Sequence, residues 1–391
     1  MPYYVRAGSL PAQRHTQFRR PDGGLYAEEL FSTKGFSGEY SLLYHLHPPT
    51  AILDVRAWER PASHFASNEP LRNRHFRTPQ VTRNGDAVDA RIPILANDEL
   101  RISVAETASP MRSFYRNSGG DELLFVHRGS GTVETPFGNL PYRAHDYLSI
   151  PCGTTYRLLP SEATRLVVYE SSGHIAIPRQ FLTEVGQLAE AAPYYERDLH
   201  IPALLPPHEE PGPFEIRVKA GDRHALYTVE YHPFDLVGWD GYCYPYALSA
   251  DDYAPIVGKL HQPPPVHAVF EAPGAAFCVF VPRLFDFHPN AVPVPYNHSN
   301  VDCDEVIYYV SGNFMSRRGI AEGSITLHAA GAPHGPHPGA VEASLGKSGT
   351  DEVAVMVDSF RPLRVADDAL ACEDPEYLRS WSSAHSAAVH A

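Results

Sequence analysis

Two stretches in opposite halves of the chain, ELLFVHRG (122–129) and EVIYYVSG (305–312), share one pattern: an acid, six mostly apolar residues and a glycine. Runs of this length, rich in β-branched and aromatic side chains, read as strands, and a glycine just after such a run marks a tight turn. Each copy is followed by a second strand-and-turn signal, HDYLSIPCG (145–153) and GSITLHAAGAPHG (323–335), ending in Pro-x-Gly. A pattern of this kind that occurs twice predicts two related β units in one chain.

Composition agrees with an all-β reading. The 391 residues include 37 prolines, 28 glycines and 22 tyrosines, which favours short strands joined by many turns. The aromatic content argues against disorder, and the length suits one large domain or two packed ones. Few helices are expected. The best helical periodicity is in PRQFLTEVGQLAEAAPYYE (178–196), where Phe181, Val185 and Leu188 share a face. The chain divides into a β-rich N-terminal region (1–110), a first unit (111–200), a proline- and acid-rich linker (201–213), a second unit (214–365) and a tail (366–391). The small, polar end of that tail, WSSAHSAAVHA, is expected to fray.

A formal net charge of -14, with no basic run, argues against a nucleic-acid partner. A small anionic substrate has to be met by a few locally placed donors. The polar, basic start MPYYVRAGSLPAQRHTQFRR has no apolar signal core, and no stretch reaches the length of a membrane span. Five cysteines without a C-x-x-C pair favour reduced thiols. The expectation is a cytoplasmic protein with no membrane contact.

The two-motif pattern resembles a cupin barrel, and its double occurrence implies a bicupin. The halves differ in chemistry. SFYRNSGGD, before Glu122, has no histidine, whereas His298 precedes Glu305 and His328, His334 and His337 follow it. Only the second unit can build a metal site of the usual cupin type, so the first is expected to be degenerate and metal-free. Two imidazoles and one carboxylate on one face of an Fe(II) ion leave positions for a bidentate substrate and O2. His298, Glu305 and His334 form that set, and a proline-flanked turn is a stiff place for the last of them. A lone histidine beside a strand is more often an ordinary hydrogen-bonded residue; the Pro-His-Gly turn is what shifts the reading toward a metal. His337 rivals His334 and Asp304 rivals Glu305, although the shared acid-to-glycine register favours Glu305.

PFDLVGWDGYCYPY (233–246), YNHSNVDCDE (296–305), LHAAGAPHGPHPG (327–339) and the N-terminal GSLP and DGGLYAEEL resemble the homogentisate 1,2-dioxygenase family, in its shorter bacterial branch. The resemblance implies a non-haem Fe(II) cupin that opens the ring of a para-hydroquinone with O2. For homogentisate, the product is maleylacetoacetate, in tyrosine and phenylalanine catabolism. By the same resemblance the iron ligands fall on His298, Glu305 and His334. A histidine that takes the phenolic proton falls on His261, in GKLHQPPPV, and a further active-site histidine on His328. Tyr296, Phe314 and His334 fall on substrate-facing positions. Each has a plainer reading: His261 as a loop residue, His328 as a group orienting a ligand, Tyr296 as a packed aromatic bonded to backbone. A homo-oligomer, trimeric or hexameric, is also implied.

Two departures from the family pattern stand out. One extra residue lies within SNVDCD, between the first histidine and the acid. A tyrosine and an arginine that serve the substrate carboxylate in the family fall on Phe314 and Ser311. Either Arg283, Arg317 or Arg318 supplies the missing donor, or the substrate is gentisate or another hydroquinone. A metal-binding cupin without oxygenase activity is the reading from a different class.

Overall fold

A computed structural model describes residues 2–258, 262–314, 316–317 and 319–382. His261 and Arg318 lie outside the described residues, as does the chain from 383 onward. Among the described residues the only α-helices are Ala340–Ser344 and Asp367–Leu370, and strands dominate the remainder. The fold is all-β with two cupin units, as the sequence implied. No helix among the described residues is long and apolar enough to cross a membrane.

The first unit packs a seven-stranded sheet against a nine-stranded one. Strand Asp121–Arg128 lies inside the larger sheet, between Asp146–Ile150 and Thr164–Ser171. Successive side chains of a strand point to opposite faces. Leu124 and Val126 therefore join Val133, Leu140 and Leu158 inside the first barrel. Leu123 and Phe125 turn the other way, into a core shared with Val306, Tyr308 and Val310 of the second unit. Rings interlock across this boundary: Tyr169 on Phe277 at 5.4 Å and Tyr147 on Phe270 at 5.5 Å. Burying each such side chain stabilises the fold by about 1.5–3 kcal/mol.

That shared core aims the second acid. In strand Asp304–Ser311, committing Val306, Tyr308 and Val310 to the boundary leaves Glu305, Ile307 and Tyr309 facing into their own barrel. A slip of one residue would reverse both faces, so burial fixes the register. The glycine that ends each motif also has a physical reason. Gly129 and Gly312 have φ of +94° and +89°, and an added Cβ would meet the Ala163 carbonyl oxygen at 2.7 Å or that of Asp351 at 2.5 Å. Only glycine fits either turn without strain.

Three features differ from the sequence expectations. Residues 178–196 form no helix: Arg179–Phe181 is one 3-10 turn, and the chain reverses at Gly186, where the Thr183 amide donates to Gln187. Phe181 and Leu188 are buried but Val185 is 87 % exposed, so their spacing reflects two arms of a turn and not one helical face. Strand pairing also ignores a boundary at 213/214. Pro211–Ala220 and Arg223–Tyr231 extend the first unit's seven-stranded sheet, through a parallel pairing with Phe114–Asn117. The six-stranded sheet that carries Glu305 runs from Ala268–Ala272 through the second half of the chain and takes its edge strand, Arg74–Phe76, from the N-terminal region. Finally, of the segment expected to fray, Trp381 is anchored, its ring packing on His337 at 4.6 Å beside the buried Tyr377, while residues 383–391 lie outside the described residues.

Candidate metal centre

Glu305 sits at the middle of a ladder, paired with His328 on one side and Asp358 on the other. Two loops close over it. His298 and His334 form an isolated antiparallel bridge, their backbone amides donating to each other's carbonyls at 2.8 and 2.9 Å. The pairing brings together side chains 36 positions apart (334 − 298).

The side chains converge. His298 Nε2 lies 3.5 Å from Glu305 Oε2, and His334 Nε2 lies 3.4 Å from Glu305 Oε1. One ligand atom from each of the three residues falls within 4.8 Å of the others. The opposite ring nitrogens face backbone oxygens: His334 Nδ1 is 3.0 Å from Ala332 O and His298 Nδ1 3.4 Å from Tyr296 O. An Nδ1–H held by a carbonyl leaves the Nε2 lone pair pointing at the carboxylate, the tautomer a metal needs. His334 Nε2 is buried with no hydrogen-bond partner among the described residues. A buried nitrogen left in that state is costly, and a divalent cation between the three groups would satisfy it. The residues present fit a bound metal of the two-histidine, one-carboxylate class.

The electrostatics favour a cation. Burial alone would raise the Glu305 carboxyl, but the contacts from His298 and His328, with the His334 ring close by, outweigh it and hold the group well below the usual range. The bond to Glu305 raises His298. Burial, followed by the charge of Glu305, pushes Asp358 up to about 7.

The other predicted residues are distributed as follows. Asp304 points away: its Oδ1 accepts from the Ala330 amide at 2.8 Å and its Oδ2 from the Leu363 amide at 2.7 Å. With both oxygens committed to backbone, Asp304 has no ligand role. His337 is turned toward the tail, 3.1 Å from Ser380 Oγ. His328 is fully buried between Glu305 Oε1, 2.6 Å from its Nδ1, and the Tyr377 hydroxyl, 2.9 Å from its Nε2. Burial pushes its pKa down to about 3, so the ring is neutral.

Beside Glu305 and His298 opens a cavity of about 130 Å³, walled by Phe280, Ile307, Tyr309, Phe314 and Met356. Arg283 and Arg317 also line it. Three substrate-side expectations fall outside this wall. Tyr296 is 60 % exposed, its ring 6.4 Å from that of His298, because Pro295 and not Tyr296 faces the cavity. His334 and His328 are covered by the barrel and do not line the space.

The model of the homogentisate 1,2-dioxygenase N-terminal region matches residues 5–249, and that of the C-terminal region matches 259–388. The chain belongs to the homogentisate 1,2-dioxygenase family. It is an enzyme of that dioxygenase type. A Saccharolobus solfataricus protein named "Putative dioxygenase SSO1533" is 44 % identical over 97 % of this chain and 99 % of its own length. Homogentisate 1,2-dioxygenases of Rhodopseudomonas palustris and Mus musculus are 27 % and 28 % identical, each over 96 % of this chain and 90 % and 91 % of theirs. Among solved structures, the Leptotrichia buccalis cupin 2 conserved barrel domain protein aligns over 73 % of this chain and 96 % of its own, at 9 % identity and a TM-score of 0.34.

Sequence reasoning missed Tyr377 and Trp381, the aromatic pair behind the family site. Both lie in a segment with no strand signal, and nothing in their spacing points to a histidine 49 residues upstream.

Proposed function

We propose that this member of the homogentisate 1,2-dioxygenase family is an Fe(II) enzyme that opens the ring of a para-hydroquinone bearing an acid side chain, with homogentisate converted to maleylacetoacetate as the leading case. The observation that carries the proposal is the convergence of His298, Glu305 and His334 at the edge of an aromatic-walled cavity. Bound there, iron would supply the means to bring electron-rich ring and O2 together. The chain's own part is positioning and proton handling. The carbonyls of Tyr296 and Ala332 hold the two imidazoles with Nε2 inward, and His328 holds Glu305. Phe280, Ile307 and Phe314 exclude water from the ring face. His261, by resemblance, takes the phenolic proton; neutral imidazole is a suitable base for that transfer. His328 has no free nitrogen for substrate among the described contacts, so its role is to orient the ligand carboxylate. Assembly as a trimer or hexamer belongs to the same proposal.

The test is anaerobic loading with Fe(II), followed by oxygen uptake with homogentisate, gentisate and methylhydroquinone. Uptake with homogentisate and the appearance of an enone absorbance is the expected result. Bound iron with no uptake on any of the three would return the protein to the non-oxygenase cupins.

A further inference from the structure

The cavity wall has two guanidinium groups, and only one of them is neutralised by the protein. Arg283 Nη2 pairs with Glu352 at 3.0 Å, and its Nη1 donates to the Val281 carbonyl at 3.1 Å. Arg317 forms no ion pair among the described residues. Its Nη1 donates to the Gly335 carbonyl, the Tyr309 hydroxyl accepts from the guanidinium, its Cζ lies 5.7 Å from the Trp381 ring centroid, and its Nε is buried without a partner among the described residues. An arginine held in this way is an oriented donor with one edge to spare.

Its tether gives the position meaning. Gly335 directly follows His334, and its carbonyl also accepts from Trp381 Nε1 at 3.0 Å. The guanidinium and the metal-site imidazole are thus fixed to the same turn. A ligand that reaches both must span a set distance between a metal-binding end and an anionic end. Phe314 brings no polar group to the neighbouring wall and Ser311 is not part of it, while Asp286 and Glu305 line other parts of the same cavity.

We propose that Arg317 is the anion anchor of the cavity, pairing with a carboxylate on the aromatic substrate. This deepens the ring-cleavage reading and rests on it for the identity of the substrate ring. It also assigns the work of two polar groups, absent at Phe314 and Ser311, to a residue in the next turn of the chain. An unpaired cation in a closed space carries a desolvation penalty that a matching carboxylate removes, which discriminates against neutral hydroquinones.

The test uses the full-length iron-loaded enzyme and two substrates of similar size, homogentisate and methylhydroquinone. For Arg317→Ala, kcat/KM for the acid is expected to fall about 10- to 100-fold, mostly through KM, the range of a lost charge-assisted hydrogen bond. Turnover of methylhydroquinone at saturation should persist, and Arg317→Lys should recover part of the acid preference. Anaerobic calorimetry with phenylacetate, which needs no turnover, should show the same loss of affinity. If Arg317→Ala does not fold, Arg317→Gln, which can still reach the Gly335 carbonyl, gives the same comparison. An equal loss on both substrates at full iron content, or unchanged phenylacetate affinity, overturns the anchor. Wild-type protein that binds phenylacetate through Arg317 yet consumes no oxygen would leave the anchor standing and remove the ring-cleavage reading.

Discussion

Glu122 and Glu305 occupy the same place in the repeated motif, and each is buried at the heart of its own barrel, yet they are neutralised by different means. Around Glu305 stand three imidazoles, and no lysine or arginine pairs with it among the described residues. Around Glu122 the protein supplies its own. Arg91 Nη1 and Nη2 reach its two oxygens at 2.7 and 3.2 Å, and the same guanidinium bonds the Tyr156 hydroxyl at 2.8 Å. Tyr156, Tyr115 and Asn117 complete the shell at 2.6, 3.1 and 3.1 Å. Tyr115 precedes Glu122 by seven residues (122 − 115), as His298 precedes Glu305 (305 − 298). One unit has phenol and guanidinium where the other has imidazole and room for a metal. A carboxylate aimed into a barrel must be paired, and the choice of partner decides whether the unit is structural or reactive.

The largest expected effect tests that division. Glu305→Gln should eliminate stoichiometric iron and oxygen uptake, while Glu122→Gln should leave both in place and lower stability instead. Metal analysis and oxygen consumption on the two purified variants decide it. Loss of iron from Glu122→Gln would mean that the first centre also contributes to metal binding.

Next in size is Arg91→Met, which strands Glu122 in the core. Breaking a buried pair from one side costs about 3–5 kcal/mol, whereas removing both charges costs much less. Arg91→Met with Glu122→Gln should therefore be more stable than Arg91→Met alone, as read from urea unfolding. Acid dependence offers an independent check. Burial would raise the Glu122 carboxyl, but Arg91 outweighs it and holds the folded-state value down. A depressed folded pKa contributes stability that is present above the unfolded value of about 4.3 and lost as pH falls through the folded one. Each pH unit between the two values is worth about 1.4 kcal/mol. The double variant should show a shallower loss of stability across that acid window than the wild type.

The contrast also explains what the sequence could and could not reveal. The strands were legible because burying Leu123 and Val306 on one face and Leu124 and Ile307 on the other imposes a local period. The candidate ligand set was legible because imidazoles flank an acid that recurs in both motifs, with a Pro-His-Gly turn after it, and the fold brings His298, Glu305 and His334 together. Arg91 was not, since it comes from the N-terminal region and meets Glu122 only through tertiary packing. The same holds for the pairing of Pro211–Ala220 with the first unit: a parallel contact between distant segments leaves no mark on local periodicity. Residues 178–196 misled because two apolar side chains on either arm of a turn can imitate a helical spacing.

The smallest expected effect is the most specific to the second centre. Facing Glu122 across its ladder is Ile150, which can hold nothing, whereas Glu305 faces His328, and His328 leans on Tyr377. Tyr377→Phe removes one hydroxyl and keeps the ring, whose packing on Trp381 at 5.0 Å holds the tail in place. Losing a hydrogen bond of about 1 kcal/mol two steps from the metal should weaken metal affinity about five-fold. His328→Gln, one step away, should weaken it about 10- to 100-fold. Competition against a chelator measures both. A graded response, His328 above Tyr377, means the tail fixes the carboxylate through a chain of hydrogen bonds that the first unit never had. Equal affinity in Tyr377→Phe and wild type would confine the tail to packing, and would leave the barrel alone to hold the acid in place.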